Sequence, residues 1–190
     1  MITRFLLVLS VVLSLTSPPV GVSPTLECGK LLVTYDEKKD ESLVQLRPLI
    51  IEGVFQTAPG ETLMGENSGV KDEYGVAITA LYSYPGKTPS KPQAIMFVVE
   101  FENTSPTHEK DQRLSLNLNG EILDLGLPER RVERTNMGLT REDLSIRISY
   151  EALFKFAGAK KATLSIGPKR FTLTECHLEA LRKFARNIPT

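Results

Sequence analysis

The sequence predicts a mainly β fold, an antiparallel β-sandwich or strongly curved sheet with one short helix and one C-terminal helix packed on it. Two observations predict this fold. Short segments with alternating apolar residues, separated by Gly, Pro and Asn, follow one another from residue 31 to residue 173. Apolar residues at helical spacing occur in a short stretch after Ser149 and again at the end of the chain.

The first residues predict a cleavable signal peptide over residues 1–23. Arg4 is the basic residue at its start, an apolar run extends from Phe5 to Leu15, and Pro18 and Pro19 end any helix. A membrane span needs about 20 apolar residues, and this run is too short. We therefore expect an exported protein, periplasmic or extracellular, with no membrane span after cleavage. The sequence leaves the cleavage site open.

The remaining residues, 24–190, predict one β-rich domain. Alternation predicts a hairpin in which a strand from Leu31 to Tyr35 and a strand from Leu43 to Ile51 flank a charged turn. Residues 56–75 contain four glycines and few apolar side chains, so we expect a long loop there, functional or disordered. No internal repeat or second domain boundary is present.

Two strands in the middle of the chain have the clearest pattern. The first has apolar and aromatic side chains on one face, namely Val76, Ile78, Ala80, Tyr82 and Tyr84. The second, from Ala94 to Phe101, is apolar on both faces, which is typical of a central strand buried on both sides.

A two-residue type I′ turn is predicted at Asn119-Gly120. This turn would pair Leu116 with Leu123, and Leu114 with Leu125. One face of the hairpin is then apolar and the other largely polar, as burial on one side requires. After the hairpin, the polar stretch from 128 to 140 is expected to be an exposed loop or an edge strand.

The last third of the chain predicts two further strands and both helices. Ser149 is placed to cap a helix from Tyr150 to Ala157. A tight turn at Gly167-Pro168 would put Leu164 opposite Phe171. Thr174 is the expected N-cap of the final helix, whose apolar residues recur at helical spacing: Leu178, Leu181, Phe184, Ala185 and Ile188.

Cysteine content supports a disulfide in an exported chain. The chain has two cysteines, Cys28 and Cys176, and an oxidising compartment favours a single bridge between them. In the chain-entropy picture, closing so long a loop stabilises the fold by about 4 to 5 kcal/mol. The alternative is a redox or metal-binding thiol at Cys176, next to His177. Adjacent helical side chains point about 100° apart and no Cys-x-x-Cys is present, so we favour the disulfide.

Composition and motifs exclude several function classes. The 23 basic and 23 acidic residues cancel, and Trp is absent, so nothing indicates a nucleic-acid partner. The two histidines, His108 and His177, have no nucleophile motif nearby, and residues 65–69 do not match Gly-x-Ser-x-Gly. We predict no catalytic residue, metal site or cofactor, although sequence does not show which carboxylates meet in space.

Three segments resemble exported bacterial proteins of unassigned function. They are Cys28 to Leu32, Leu81 to Lys87, and the tail from Phe154 to Ala185, with its Ala-Lys-Lys step, Leu-Thr-Glu and Leu-Glu-Ala-Leu-Arg. The resemblance covers about half the chain. It implies a bacterial envelope setting and assigns no site residue.

Together these observations favour a binding or structural role in the bacterial cell envelope over an enzyme. The expected partner is a protein or another envelope component, contacted through loops or an exposed sheet edge. Two alternatives stay open. One is an enzyme with a dispersed acidic or Cys/His site, and the other is an inhibitor or chaperone of another exported protein.

Overall fold

The computed structural model describes residues 29–57, 61–64, 75–104, 112–135 and 138–189. The predicted signal peptide at 1–23 lies outside these ranges, as do Cys28, His108 and residues 65–69. In the described part of the chain, the backbone forms antiparallel sheets with one short helix and one C-terminal helix. The predicted fold class is therefore confirmed.

Seven antiparallel strands form the larger sheet. They are β1 (Leu31–Asp36), β2 (Glu41–Leu46), β3 (Leu49–Glu52), β6 (Gly75–Pro85), β7 (Ile95–Asn103), β10 (Glu129–Arg134) and β11 (Thr140–Ile148). Their order is β1-β2-β6-β7-β11-β10, and β3 is a further neighbour of β6. The strand predicted to be central, β7, lies between β6 and β11, which confirms its central position. Its inner face is fully buried, whereas its outer face is buried at Val98 and Glu102 and half-buried at Met96 and Glu100.

The smaller sheet has four strands, β8 (Leu114–Leu118), β9 (Glu121–Gly126), β12 (Ala162–Ile166) and β13 (Lys169–Leu173), in the order β13-β12-β8-β9. A separate hairpin contains β4 (Val54–Thr57) and β5 (Glu61–Met64). The helices are α1 (Tyr150–Gly158) and α2 (Glu175–Arg186).

The core lies between the facing sides of the two sheets and beneath both helices. Aromatic contacts connect these layers. The ring centroids of Phe101 in the larger sheet and Phe171 in the smaller sheet are 6.0 Å apart. Those of Tyr82 and Phe184 in α2 are 5.5 Å apart, in an edge-to-face arrangement. Alternation along each strand therefore leaves a second, outer face of the larger sheet, turned away from the smaller one.

The hairpin at Asn119-Gly120 confirms the predicted turn and corrects one pair. Both residues have positive φ, 55° and 98°, as a type I′ turn requires. Leu116 pairs with Leu123 as expected, but Leu114 pairs with Gly126 and not with Leu125. The register shifts because Leu125 is an extra residue in β9 with no partner on β8. Gly126, at φ 106°, adopts the left-handed conformation that follows it, and the Asp124 carboxylate accepts the Gly126 N–H at 2.9 Å.

Both helix starts agree with the sequence. The Ser149 side chain accepts the Ala152 N–H at 3.1 Å and so caps α1. Thr174 precedes α2 in an extended conformation. The tight turn before α2 pairs Leu164 with Phe171, as predicted.

Three segments differ in detail from the expectations. The strand predicted from 43 to 51 is interrupted at Arg47-Pro48, because proline has no N–H to donate to a neighbouring strand. At this break, Thr79 donates its hydroxyl hydrogen to the Leu46 carbonyl. The predicted long loop, 56–75, contains β5, while 58–60 and 65–74 lie outside the described ranges. The polar stretch 128–140 forms β10, so the edge-strand alternative is the correct one.

Candidate functional site

A pocket of about 660 Å³ lies on the outer face of the larger sheet. The side chains of two neighbouring strands form its floor: Leu81 and Ser83 on β6, and Met96 on β7. The loop 86–94, which connects these strands, forms part of the wall. A floor made of paired strands gives the pocket a rigid base.

The β1–β2 turn forms the next part of the wall and is tied to the loop. Asp36 Oδ1 accepts the Lys38 N–H at 2.9 Å, which closes the turn. Asp40, at φ 48°, accepts the Gly86 N–H with its carbonyl at 2.7 Å. Ser42 donates its hydroxyl hydrogen to the Gly86 carbonyl at 2.6 Å. These bonds hold the turn and the start of the loop in one arrangement.

The far end of the loop is anchored beside α1. The hydroxyl of Tyr150 donates a hydrogen bond to the Pro92 carbonyl, and Pro92 is buried. The Lys91 ammonium lies 5.2 Å from the centroid of the Tyr150 ring, within cation–π range. Because both ends of the loop are held, the pocket is formed before any ligand arrives.

The charges around the pocket are segregated by sign, except that Lys39 lies on the acidic side. Asp40 and Glu41 lie beside β2, while Lys91 and Arg147 lie on the opposite side, beside β11. The acidic side also includes Lys39, whose ammonium is 3.8 Å from the Asp36 carboxylate. The strands β6 and β7 separate β2 from β11, which gives about three strand spacings, or ~14 Å, across the sheet. The residue of β2 that is level with Arg147 is Gln45, and Glu41 lies four residues, or ~13 Å, further along the strand. Glu41 and Arg147 are therefore ~19 Å apart.

The two acidic residues of the pocket, Asp40 and Glu41, differ in their hydrogen-bond and ion-pair partners. The Tyr35 hydroxyl donates to Asp40 Oδ1 at 2.7 Å, and this hydrogen bond raises the pKa of Tyr35. In the described part of the chain, Glu41 and Arg147 have no ion-pair partner. These two groups therefore remain open for a ligand.

A second cluster of charged residues lies elsewhere on the outer face and does not line the pocket. Glu100 on β7 is the cross-strand neighbour of Asp143 on β11. Burial, reinforced by Asp143, raises the pKa of Glu100 to about 7, and burial also raises the pKa of Asp143. Asp143 Oδ1 is buried without a hydrogen-bond partner. Arg141 lies 3.7 Å from Glu102, beside this pair.

Sequence reasoning missed this carboxylate pair. The two residues are 43 positions apart, and only the register of two strands brings them together. The one available signal was Glu100, a charged residue inside a strand that is otherwise apolar on both faces.

The structure gives His177 a structural role. This buried residue accepts the Thr174 N–H at Nδ1, at 3.1 Å, and its Nε2 lies 2.9 Å from the Ile50 carbonyl. With Nδ1 as acceptor, Nε2 carries the hydrogen and donates it to Ile50. His177 therefore fastens the start of α2 to β3. Cys176 is half-buried, and the described residues include no free cysteine.

We expect the variant His177→Ala to lose about 2 to 4 kcal/mol of unfolding free energy, because two buried backbone groups lose their partner. His177→Gln is the matched control. A glutamine at this third helical position can still accept the Thr174 N–H, so its loss should be smaller. Urea unfolding followed by circular dichroism measures both. Equal stability of wild type and His177→Ala would contradict the structural role.

The pairing of Cys28 with Cys176 stays a prediction, because Cys28 lies outside the described residues. Its neighbour Gly29 lies directly against α2, where a Cβ built on Gly29 would be 2.5 Å from the Cβ of Ala180. Ala180 is one helical turn after Cys176, so the residue that follows Cys28 lies against the part of α2 that carries Cys176.

Alkylation of the exported protein, followed by intact mass measurement, tests the bridge. We expect no label before reduction and two labels after it, on a chain beginning near residues 18–24. Labelling of both cysteines without reduction would refute the bridge and reopen thiol chemistry at Cys176.

Comparisons with known proteins give no further guidance. No family model, curated protein or solved structure matches this chain. Within the described ranges, no three His, Cys, Asp or Glu side chains are grouped to hold a metal ion. None of the helices described is long and apolar enough to cross a membrane.

Proposed function

We propose that this is an exported, non-enzymatic binding protein of the bacterial envelope, and that its pocket binds short peptides carrying an amino group and a carboxylate. One observation carries the proposal. The pocket has an acidic side at Glu41 and a basic side at Arg147, separated by a floor with apolar and hydroxyl side chains. The signal peptide that the sequence predicts over residues 1–23 supports export.

The chemistry of the lining favours binding over catalysis. No histidine or cysteine lines the pocket, so neither serine in its lining, Ser83 or Ser90, has an imidazole beside it to act as a base. The Asp40 carboxylate already accepts a hydrogen bond from the Tyr35 hydroxyl. The carboxyl group with a pKa of about 7, Glu100, does not line the pocket.

A peptide suits the dimensions of the pocket. An extended residue spans about 3.3 Å, so a peptide of five or six residues covers the ~19 Å between Glu41 and Arg147. Its ammonium group would face Glu41 and its carboxylate would face Arg147, a charge-assisted pairing at each end.

Chemical-shift mapping of the isotope-labelled mature protein tests the proposal, with free pentaalanine and doubly capped pentaalanine as probes. We expect pentaalanine to shift amides at residues 81–96 and 147, and the capped peptide to shift them several-fold less. Arg147→Gln should remove this response. Arg170→Gln, which changes an exposed arginine on β13 of the smaller sheet, is the matched control and should preserve it. Equal shifts from both peptides, or shifts outside the pocket, would refute the proposal.

A further inference from the structure

The edge strand β1 has an open side. It pairs with β2, and in the described residues no strand pairs with its other edge. The Arg47 N–H donates to the Lys30 carbonyl at 2.8 Å, so Lys30 is in a hydrogen-bonded position toward β2. Because the ladder alternates, Leu32 and Thr34 also direct their backbone groups toward β2. Leu31, Val33 and Tyr35 therefore direct theirs toward the open edge.

Two apolar side chains are exposed on this edge strand. Val33 is 64% exposed and Leu32 is 41% exposed. The opposite edge of the same sheet, β10, is different, since five of its six residues are charged. Charged side chains are a common means of preventing edge-to-edge pairing, and β1 has none between Lys30 and Asp36.

We infer that β1 is the interface with a second copy of this chain, paired antiparallel about a two-fold axis at Val33. In this register Val33 faces the partner's Val33, and Leu31 faces the partner's Tyr35. These are the residues whose N–H and carbonyl groups are directed outward, so they form the hydrogen-bonded pairs. The inference does not depend on the proposed function of the pocket.

The same register brings opposite charges together. Lys30 faces the partner's Asp36, and Leu32 faces the partner's Thr34, at the non-hydrogen-bonded positions where side chains approach most closely. The two-fold axis repeats the Lys30–Asp36 contact at both ends of the interface. Moving the register by two residues would lose this charge match and leave Val33 off the axis. The dimer thus joins the two larger sheets into one.

Sedimentation equilibrium of the mature protein over a wide range of concentration tests the interface. We expect a reversible monomer–dimer equilibrium, weakened at least tenfold by Val33→Lys, which places two like charges face to face on the axis. Val132→Lys is the matched control, because Val132 is a half-exposed valine on the opposite edge strand, β10. It should not change the dissociation constant. Circular dichroism of both variants confirms that they are folded.

Cross-linking tests the register. Under oxidised glutathione, mixing Leu32→Cys with Thr34→Cys should give a disulfide-linked dimer that neither variant gives alone. Directly opposed non-hydrogen-bonded positions meet the geometry of a disulfide, and the diagonal positions are too far apart. A protein that stays monomeric at millimolar concentration, a dimer that only Val132→Lys disrupts, or cross-links in the single variants alone would overturn the inference.

Discussion

Replacing Glu100 with glutamine should remove most of the dependence of stability on pH between about 4.5 and 7. The pKa of Glu100 is raised to about 7 by burial and by Asp143, above its usual 4.5. In that interval the native state binds the proton more tightly than the unfolded state, so the free energy of unfolding falls as pH rises. The stabilisation that protonated Glu100 adds to the free energy of unfolding is fully present below pH 4.5 and is lost as pH rises through 7.

Above pH 7 the wild type has an ionised, buried carboxylate, which Glu100→Gln replaces with a neutral amide. We expect the variant to match the wild type near pH 4 and to exceed it at pH 8 by up to about 3 kcal/mol. Urea unfolding at a series of pH values measures this difference. Glu129→Gln, an exposed glutamate on β10, should retain the wild-type profile. Parallel profiles for the wild type and Glu100→Gln would show that Glu100 titrates normally.

Truncating Phe156 to alanine should cost about 3 to 5 kcal/mol, the largest loss expected from one substitution in α1. The side chain is fully buried, and its ring centroid is 5.7 Å from that of Phe97 on β7. The substitution removes this edge-to-face contact and leaves a cavity where α1 packs on the larger sheet.

Phe154→Ala is the matched control for this experiment. Phe154 is on the same helix, two residues away, and is 48% exposed. The chemical change and the helix propensities are the same, so only burial differs, and we expect a loss below about 1 kcal/mol. Thermal and urea unfolding of both variants measure the difference. Similar losses at the two positions would mean that α1 does not pack as described.

Local signals in the sequence were reliable where a turn or cap determines the backbone. Asn119-Gly120 predicted a hairpin and the Leu116–Leu123 pair, and Ser149 predicted the start of α1. Each needs only the conformational preferences of a few adjacent residues. The same reasoning placed Leu114 opposite the wrong residue, because it did not include the β-bulge at Leu125.

The candidate site was not predicted. Its acidic side comes from a turn that looked like an ordinary solvated loop, and its basic side from a strand about a hundred residues later. His177, considered for thiol and metal chemistry, instead bonds to Ile50, which is 127 positions away along the chain. No spacing in the sequence could show that contact.

The sequence by itself determined the signal peptide prediction, the alternation that makes the sheets two-faced, most strand and helix positions, and the predicted Cys28–Cys176 bridge. These depend on side-chain hydrophobicity and on turn geometry, which are properties of neighbouring residues. Only the tertiary structure decided which residues come together: Glu41 and Arg147 around one pocket, and Glu100 beside Asp143. Strand order and register come from the packing of the whole core, so charges far apart in sequence meet only after folding.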